Sequence, residues 1–590
     1  MARSGAVLDA ARVGRAGPGE PSRESFSTPL ERDATCEVAI VGAGPGGLAA
    51  AVLLAARGLK VRVFESQDRI GGRCSRVWLG DAADTSRQYA FDRGPTFFLM
   101  PYVLDEVFAA AGRRLADEVE LRRLDPMYRL VIGQGSASGG GGSKPVIVDA
   151  TQDIEEMSRR LGAISPRDGA RFASFIADNR YKLRHSESIL RNPMRSPLDL
   201  FSRETWLDTL KVGPVLRPHM SVHDLLAKYF KDDRVKLAVS FQSKYLGMSP
   251  YDCPSLFTIL PFIEYEYGVW HPVGGCNALM EALARVAVQM GVRIHLSSPV
   301  ESLEFQGKRA RAVVCRRTDG AGGQQEGDRV RIACEHVVMN ADATWAIKKL
   351  IPESIRGKDT DASIDARKYS CSTAMLYLGV RGKVNLPHHT IYVSSRYRDN
   401  LSEISSLGTL SEDPSIYVCN PCTTDPGMAP DGDSALYVLM PTPSERVSGS
   451  GPGSKVDWQG RRSQVREAML SQISRVLGEQ DAGLRELSSR IVVEEMLTPP
   501  DWRGMNINFG ATFNLAHNLG QMLHKRPQNK LPYADNLYLV GGGTHPGSGL
   551  PTIFLSAQIT SRLLCEGQPE SAGRGPGAGI AVGAGAAGGA

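Results

Sequence analysis

The apolar residues near the N-terminus form short continuous runs that glycine-rich turns separate. Residues 38–41 and 61–64 are two such runs, and their lack of polar alternation is typical of strands buried on both faces. Residues 48–56, which lie between them, are apolar and rich in alanine and predict a helix. The order of strand, turn, helix and strand predicts a βαβ unit with two parallel strands.

The pattern changes twice after this unit. Residues 151–250 show the polar periodicity of helices, and a strand-rich region then returns. A last apolar run, residues 536–540, leads through a glycine turn into a closing helix at 552–564. The strands predicted between these regions are residues 292–296, 302–305, 310–315, 329–334, 374–380 and 435–440.

The first glycine turn carries the chemistry of the βαβ unit. Gly42, Gly44 and Gly47 fit the pattern G-x-G-x-x-G. The first glycine permits a tight turn, the second lets the backbone approach a pyrophosphate, and the third lets the helix pack closely on the strand. Glu65 ends the second strand, where an acid accepts hydrogen bonds from a ribose hydroxyl and disfavours the 2′-phosphate of NADP. The sequence therefore predicts a dinucleotide site.

A second glycine turn follows soon after Glu65. Gly71, Gly72 and Arg73 complete the spacing E-x5-G-G-R. A guanidinium in such a turn can hold a large dinucleotide through bidentate hydrogen bonds. The spacing resembles the FAD-binding start of amine-oxidase-like flavoproteins, so FAD is favoured over NAD.

Composition excludes several classes of protein. The chain has 590 residues, of which 42% are hydrophobic and 23% charged, so it is long enough for more than one domain. A formal charge of +5 is small for this length, and no nucleic-acid-binding motif is present, so no nucleic acid partner is predicted. Because no apolar run reaches roughly 18 residues, no membrane span is predicted either.

Two short motifs suit metal or redox chemistry, but we predict no metal at either. Cys419 and Cys422 form a C-x-x-C without a second pair, so two loop thiols are favoured over zinc or a redox pair. His388 and His389 are adjacent, and adjacent residues of a strand point to opposite faces. The sparse cysteines indicate free thiols in a reducing compartment.

The chain resembles the bacterial-type phytoene desaturase family, the FAD-dependent carotenoid desaturases, over residues 36–566. The matching blocks are VGAGPGGLAAA…FE…GGR, FDRGPT, WHPVGG, VVMNAD, HHTIYVSSRY, TDPGMAPDG and NLYLVGGGTHPGSGLP. The first and last blocks are shared by many flavoproteins. HHTIYVSSRY, TDPGMAPDG and THPGSGLP favour the carotenoid desaturases in particular.

This resemblance implies which residues bind FAD. Val300 matches the position whose backbone meets adenine, and Gly542, Gly543 and Thr544 would lie near the flavin. Amine oxidases commonly carry an acid in the closing motif, where this chain has only glycines, so an amine substrate is disfavoured. The residues implied for the adenosine-diphosphate half of FAD are Gly42, Gly44, Gly47, Glu65, Gly72 and Arg73.

The resemblance also implies the fold class. It is α/β, with a discontinuous Rossmann-like FAD-binding domain, a mixed-sheet substrate domain and a helical, membrane-associating region. The predicted segments are a disordered leader at 1–34, FAD-binding parts at 35–150, 271–345 and 501–566, a helical substrate region at 151–270, a substrate-binding domain at 346–500 and a disordered Gly/Ala tail at 567–590. Residues 136–143 (SASGGGGS) are predicted to be a surface insertion.

The family's chemistry removes a hydride and a proton across a C–C bond next to a polyene such as phytoene, and the cofactor supplies the difficult step. Oxygen or a quinone would then reoxidise the flavin. Glu264, Glu266 and His271 are candidate bases, with surface or packing roles as the alternative. Other functions stay open: a carotenoid cis–trans isomerase or oxygenase, a flavin-binding assembly partner without activity, or a soluble amine oxidase.

A peripheral membrane contact is expected, on the cytoplasmic face or in a plastid. Residues 180–195 carry five basic side chains, which either meet anionic headgroups or form an ordinary solvated helix face. Residues 256–263 (LFTILPFI) are either buried core or the apolar mouth of a substrate channel. Whether residues 1–34 are a transit peptide stays open.

Overall fold

The structure of the chain is a computed structural model that describes residues 26–31, 34–81, 84, 86–133, 145–316, 329–446, 456–478 and 482–566. Three predictions fall on other residues. The surface insertion at 136–143, the tail at 567–590 and the first 25 residues of the leader lie outside the described residues.

Most strands of the described chain belong to two seven-stranded sheets. The strands in chain order are β1 (Thr35–Val41), β2 (Val61–Phe64), β3 (Arg76–Gly80), β4 (Gln88–Asp92), β5 (Leu121–Arg123), β6 (Tyr128–Ile132), β7 (Val146–Ala150), β8 (Trp270–Pro272), β9 (Arg293–His295), β10 (Val300–Gln306), β11 (Arg309–Arg316), β12 (Arg329–Met339), β13 (Ser372–Val380), β14 (His389–Val393), β15 (Ile416–Cys419), β16 (Ser434–Thr442), β17 (Ile491–Leu497) and β18 (Leu537–Leu539).

The first sheet contains the predicted βαβ unit. Its order is β10-β11-β12-β1-β2-β9, and β18 pairs with β12. β1 pairs in parallel with both β2 and β12, so the strand that leads into the glycine turn is central in the sheet. The predicted strands at 38–41 and 61–64 are confirmed. Because β9–β12 and β18 return to this sheet from later in the chain, it is assembled from separate segments of the sequence.

The second sheet has the order β17-β13-β16-β15-β14-β6-β7. β6 and β7 form an antiparallel hairpin, and β6 pairs in parallel with β14. The prediction that residues 35–150 belong entirely to the FAD-binding part is therefore wrong for this hairpin. Leu130, Val131 and Ile132 are buried in the second sheet, because the free edge of β14 accepts the strand. Two short ribbons, β3–β4 and β5–β8, accompany the sheets.

Helices cover the first sheet and form most of residues 154–267. In chain order they are α1 (Pro45–Ala55), α2 (Pro101–Ala110), α3 (Leu115–Glu118), α4 (Ile154–Ile164), α5 (Pro166–Arg184), α6 (Glu187–Arg191), α7 (Trp206–Leu216), α8 (Val222–Leu226), α9 (Asp233–Ala238), α10 (Ile259–Tyr267), α11 (Asn277–Gln289), α12 (Ala343–Leu350), α13 (Asp361–Asp365), α14 (Tyr397–Ser402), α15 (Trp458–Gln472), α16 (Leu487–Arg490), α17 (Pro499–Gly504) and α18 (Leu550–Cys565).

Helix α1 follows the glycine turn directly. It begins at Pro45, earlier than the predicted residue 48, because proline fits the first turn of a helix. Ala49, Ala50 and Ala51 are fully buried, and these small side chains let α1 pack closely against α11 and α18. The N-terminus of α1 is thereby fixed at the carboxyl end of β1, in the middle of the first sheet.

Part of the predicted leader is ordered. The backbone N–H of Thr28 donates a hydrogen bond to the carbonyl of Ile294 over 2.7 Å, and the side chain of Leu30 is buried. Nδ1 of His295 lies 2.8 Å from the carbonyl oxygen of Thr28. The prediction of disorder is therefore wrong for residues 26–31, because this segment bonds along the exposed edge of β9.

None of the described helices has both the length and the apolar character needed to cross a lipid bilayer. The described chain carries all ten cysteines, and each is a free thiol.

Candidate active site

A cavity of about 530 Å³ joins the two sheets. One end lies at the carboxyl ends of β1 and β2, the edge at which parallel α/β sheets bind ligands. The other end is walled by apolar and aromatic side chains of the second sheet and of the helical region. The predicted cofactor residues that line the cavity are Gly42, Gly44, Glu65, Gly72, Arg73, Val300, Gly542 and Gly543.

Two predicted residues, Gly47 and Thr544, lie behind the cavity wall. A Cβ added to Gly47 would collide with the carbonyl oxygen of Gly42, which is the close helix–strand packing that the motif predicts. Thr544 is fully buried, and its carbonyl oxygen accepts a hydrogen bond from Nε of Arg526 at 3.2 Å. Both residues support the wall of the cavity from behind.

Asn340 ties the first glycine turn to the neighbouring strand. Its Nδ2 donates to the carbonyl of Gly42 over 3.1 Å, and its backbone N–H donates to the carbonyl of Val41 over 2.8 Å. A Cβ added to Gly46 would lie 2.6 Å from Oδ1 of Asn340. Asn340 was not predicted as a site residue. Its position directly after β12, which lies beside β1, is the signal that could have found it.

Glu65 is buried at the end of β2. Its Oε2 accepts a hydrogen bond from the backbone N–H of Ala43 at 2.7 Å, and its Oε1 accepts one from Gln67 at 2.9 Å. Burial raises the pKa of this carboxyl group, and these backbone donors oppose the rise. A carboxylate has about four acceptor sites, so Glu65 keeps capacity for a ribose hydroxyl while it holds the glycine turn.

Arg73 connects the second glycine turn to residues far along the chain. Its Nη1 donates to the carbonyl of Thr512 over 2.6 Å. Asn514 bridges Arg73 and Asp342: its amide accepts from Nη1 of Arg73 at 3.1 Å and donates to Oδ2 of Asp342 at 2.7 Å. Burial lowers the pKa of Arg73, and the carboxylate of Asp342 opposes this. The guanidinium is thus held in place at the cavity wall before any ligand binds.

The closing glycine turn is held by a buried arginine that the sequence did not reveal. Nη2 of Arg526 donates to the carbonyl of Gly542 over 2.7 Å and to that of Leu515 over 3.3 Å. Burial lowers the pKa of Arg526 to about 9. The turn leads into α18, whose N-cap Gly549 has φ +117, a conformation that favours glycine.

These features fit FAD. The first turns of α1 and α18 both line the cavity, and the N–H groups of a helix start lack intrahelical acceptors and attract phosphate. Glycine at positions 42 and 44 keeps the wall free of side chains. Arg93 and Thr512 belong to the cavity wall. Nε of Arg93 and Oγ1 of Thr512 are buried, and neither atom has a hydrogen-bond partner within the described residues. A ligand rich in oxygen and nitrogen acceptors would satisfy both donors.

The second half of the cavity is aromatic. Phe97 stacks on His389 with ring centroids 4.0 Å apart, and it contacts the rings of Tyr245 and Tyr417. Lys244 also lines the cavity: its Nζ lies 4.9 Å from the ring centroid of Tyr397, and burial lowers its pKa to about 8. Residues 256–263, for which two roles were open, are largely buried, and Leu260 and Ile263 line the cavity. A role as the mouth of a substrate channel stays a prediction.

None of the three candidate bases lines the cavity. Glu264 is fully buried beside it, where Tyr128 and Gln242 each donate to its Oε2 at 2.9 Å, and burial raises its pKa to about 7. Glu266 forms an ion pair with Arg180 at 2.6 Å near the surface. Nε2 of His271 lies 3.2 Å from Oδ2 of Asp425.

The two adjacent histidines do not diverge. Their ring centroids lie 4.5 Å apart, so the prediction that they point to opposite faces is wrong. His388 precedes β14, and the alternation of a pleated strand does not apply to it. Together with Cys419 they form a buried group of metal-capable side chains whose ligand atoms lie within 4.8 Å of one another. The absence of a metal stays a prediction.

The comparisons with known proteins agree with this site. Residues 45–565 match the family of flavin containing amine oxidoreductases, and the chain belongs to this family of FAD proteins. Within it, the chain belongs with the carotenoid desaturases, as its curated relatives show. It is 38% identical to a 4,4'-diapophytoene desaturase (4,4'-diapolycopene-forming) of a Methylomonas species, over 90% of this chain and 96% of the relative.

Other relatives carry related names. The chain is 36% identical to an all-trans-zeta-carotene desaturase of Myxococcus xanthus, over 91% of this chain and 94% of the relative. It is 31% identical to a lycopene-forming phytoene desaturase of Pseudescherichia vulneris, over 89% of this chain and 98% of the relative.

Solved structures support the fold. An oxidoreductase from Methanosarcina mazei aligns with a TM-score of 0.56 at 14% identity, covering 89% of this chain and all of that protein. A cyclohexylamine oxidase from Brevibacterium oxydans aligns with a TM-score of 0.52 at 15% identity, covering 90% of this chain and 99% of that protein. At this identity the likeness concerns the fold alone.

Proposed function

We infer that this chain is an FAD-dependent carotenoid desaturase that acts on phytoene, 4,4'-diapophytoene or a related polyene. The observation that carries this inference is the single cavity that joins the dinucleotide turn to an aromatic, apolar wall. A hydrocarbon polyene offers no groups for hydrogen bonds, so it needs a wall of this kind. The names of the relatives support the substrate class.

FAD supplies a two-electron acceptor for the hydride that leaves the polyene. The chain supplies the binding and the orientation. The glycine turns and helix starts would hold the pyrophosphate and Glu65 would hold the ribose, while Arg73 lines the same cavity. The apolar wall around Phe97 orders the polyene and excludes water from the reacting carbons. Oxygen or a quinone would serve as the final electron acceptor.

An anaerobic mixing experiment tests this function. Purified protein loaded with FAD is mixed with phytoene or 4,4'-diapophytoene in liposomes, and the visible spectrum is recorded. Loss of the oxidised flavin band together with red-shifted polyene bands is the expected result. A changed isomer pattern with oxidised flavin would instead indicate an isomerase. An oxidised flavin and an unchanged polyene with every substrate would favour an assembly partner, and peroxide release with polyamines would indicate an amine oxidase.

We also propose that the protein binds a membrane surface through one exposed apolar face. α7 packs its Val212 against Met194 and Ile189, while other apolar residues of α7 and of the 3₁₀ segment Pro197–Phe201 face solvent. An exposed apolar patch on a basic surface suits the interface of an anionic bilayer. The exposed apolar residues are Leu198, Phe201, Trp206, Leu207, Leu210 and Val215, and the exposed basic ones nearby are Arg195, Arg203, Lys211 and Arg217.

This face differs from the expected one. Within the basic segment at 180–195, Arg180 is paired with Glu266, Arg191 with Glu106, and Lys182 is buried. The apolar stretch at 256–263 is largely buried. The patch at 198–215 therefore supports the membrane proposal better than the segments that the sequence indicated. A protein that gains its substrate from lipid has reason to lie against the bilayer.

A further inference from the structure

A short chain of polar groups interrupts the aromatic wall of the cavity. Oγ1 of Thr96 lies 2.6 Å from the hydroxyl oxygen of Tyr417, and this hydroxyl lies 2.7 Å from Nδ1 of His389. Thr96 and Tyr417 line the cavity, and His389 is fully buried behind Phe97. The wall therefore offers one hydroxyl group with a buried imidazole directly behind it.

This polar chain lies where the two halves of the cavity meet. Thr96 belongs to the segment Gly94-Pro95-Thr96, and a Cβ added to Gly94 would lie 2.7 Å from the carbonyl oxygen of Arg73. The hydroxyl of Tyr437 donates to the carbonyl of Gly94 over 2.8 Å and fixes the segment. Tyr417 is thus held close to the junction between the dinucleotide end and the apolar end.

More titratable groups continue behind His389. The ring of His388 lies 4.5 Å from that of His389, the ring of His271 lies 4.6 Å from that of His388, and His271 meets Asp425 at 3.2 Å. Nε2 of His388 and of His389 are both buried, and neither has a partner in the described part of the chain. Neither atom has a competing partner, and a water molecule between the two rings can carry a proton from one to the other.

Desaturation needs such a route for one proton. When a hydride leaves one carbon of the saturated bond, the positive charge that remains makes the neighbouring C–H acidic. The electron pair of that C–H bond forms the new double bond, and its proton needs an acceptor. Because the carbon acid is strong at that moment, a weak neutral base suffices. An apolar cavity must then pass the proton on before the next turnover.

We propose that Tyr417 and His389 accept this proton, and that His388, His271 and Asp425 lead it away from the cavity. The hydroxyl oxygen of Tyr417 takes the proton from carbon while its own proton moves to Nδ1 of His389. His389 then releases its Nε2 proton toward His388. This inference rests on the proposed desaturase function. Tyr417 would touch the substrate, whereas His389 acts through Tyr417 and positions its hydroxyl.

The protonation states of the groups suit this role. Burial lowers the pKa of His389 and of His388 well below the usual value, and the neighbouring histidines lower both further. Both imidazoles are therefore neutral, and a neutral imidazole can accept on one nitrogen while it donates from the other. Burial also raises the pKa of Tyr417 well above its usual value, so its hydroxyl keeps a proton to pass on.

Tyr417→Phe and His389→Gln test the proposal by single-turnover flavin reduction with a polyene under anaerobic conditions. Both variants should load FAD and bind the polyene with unchanged affinity. Their rate of flavin reduction should fall by a factor of about 100 or more. Wild type should show a solvent deuterium isotope effect that Tyr417→Phe abolishes. Tyr377→Phe is the matched control, because it also removes a buried hydroxyl on the second sheet, which donates to the carbonyl of Arg93 over 2.6 Å and does not line the cavity.

The outcomes separate the two proposals. An active wild type with an equally fast Tyr417→Phe would overturn the proton route and leave the desaturase function standing. A wild type that reduces no flavin with any polyene would overturn the function and the route together. A stoichiometric metal ion that leaves on His389→Gln substitution would show that the group with Cys419 is a metal site and would also overturn the route. If Tyr417→Phe does not fold, the rate of flavin reduction in His389→Gln tests the route, and a wild-type rate in that variant would overturn it.

Discussion

The side-chain amide of Asn340 donates a hydrogen bond to the carbonyl of Gly42 across 298 positions of sequence, over 3.1 Å. This bond joins the end of β12 to the turn that follows β1. It fixes the glycine turn at the place where a pyrophosphate would approach. The two residues come from the first and second segments of the discontinuous first sheet, so the cofactor end of the cavity forms only after distant strands have paired.

We expect Asn340→Ala to weaken FAD binding up to about tenfold. The substitution leaves the carbonyl of Gly42, which is partly buried, without its donor, and the loss of such a hydrogen bond costs about 0.5–1.5 kcal/mol. Titration of apo-protein with FAD, followed by flavin fluorescence, measures the affinity. Asn192→Ala is the control, because the amide of Asn192 is also partly buried and donates to a carbonyl, that of Ser188, away from the cavity. Equal FAD affinity in wild type and Asn340→Ala would contradict the prediction.

Gly47→Ala should yield a protein without bound FAD, or one that does not fold. A Cβ at this position collides with the carbonyl oxygen of Gly42, in the turn that directly follows the central strand β1, and this turn is held by the hydrogen bond from the Gly42 N–H to the carbonyl of Phe64. Flavin content per protein and a thermal melt measure the result.

Gly162→Ala is the matched control for Gly47→Ala. Gly162 lies in α4, and nothing lies within 4 Å of an added Cβ. This change should raise the stability by about 0.5–1 kcal/mol, because alanine loses less entropy than glycine in a helix. FAD loading of Gly47→Ala at the wild-type level would show that the helix can shift.

The sequence could indicate which residues gather at the first half of the cavity because its signals there are local; their contacts with FAD stay a prediction. Gly42, Gly44, Gly47, Glu65 and Arg73 lie in the βαβ unit or in the turn just after it, so their spacing can be recognised in one stretch of sequence. Asn340, Arg526 and Lys244 act through contacts that only the paired sheets create, so their roles have no local pattern. The error over His388 has the same origin: strand alternation was applied to a residue that precedes the strand.

Glu264→Gln should make the protein more stable at alkaline pH and flatten its pH dependence. Burial raises the pKa of Glu264 to about 7, so the folded state holds a proton that the unfolded chain releases near pH 4.5. This contribution to stability is complete below about pH 4.5 and is lost as the pH rises through about 7, a difference of roughly 3 kcal/mol. Glutamine keeps the acceptor oxygen for Tyr128 and Gln242 and has no proton to lose.

Melting temperatures of FAD-loaded protein between pH 5 and pH 9 provide the measurement for Glu264→Gln. The melting temperature of wild type should fall more steeply with rising pH than that of the variant, and the two should converge toward acidic pH. Glu266→Gln serves as the control, because Glu266 lies near the surface and is paired with Arg180. Parallel pH profiles for wild type and Glu264→Gln would show that Glu264 is ionised throughout.

The double change Leu207→Ser with Leu210→Ser should release the protein from liposomes. Both side chains are more than half exposed, at 52% and 58%, and they lie on the face of α7 opposite to the buried Val212. Loss of their apolar area weakens insertion into the headgroup region, while the basic residues nearby keep a salt-sensitive attraction to anionic lipid. Flotation on a density gradient, with neutral and with anionic liposomes, measures the bound fraction.

Ile147→Ser is the matched control for this pair. Ile147 is 48% exposed on β7, in the second sheet, and its loss should leave flotation unchanged. The double variant should keep its FAD and its melting temperature, because neither leucine packs in the core. If wild type remains at the bottom of the gradient with both kinds of liposome, the membrane proposal fails. If the double variant floats as wild type does, another surface makes the contact, and α7 has no part in it.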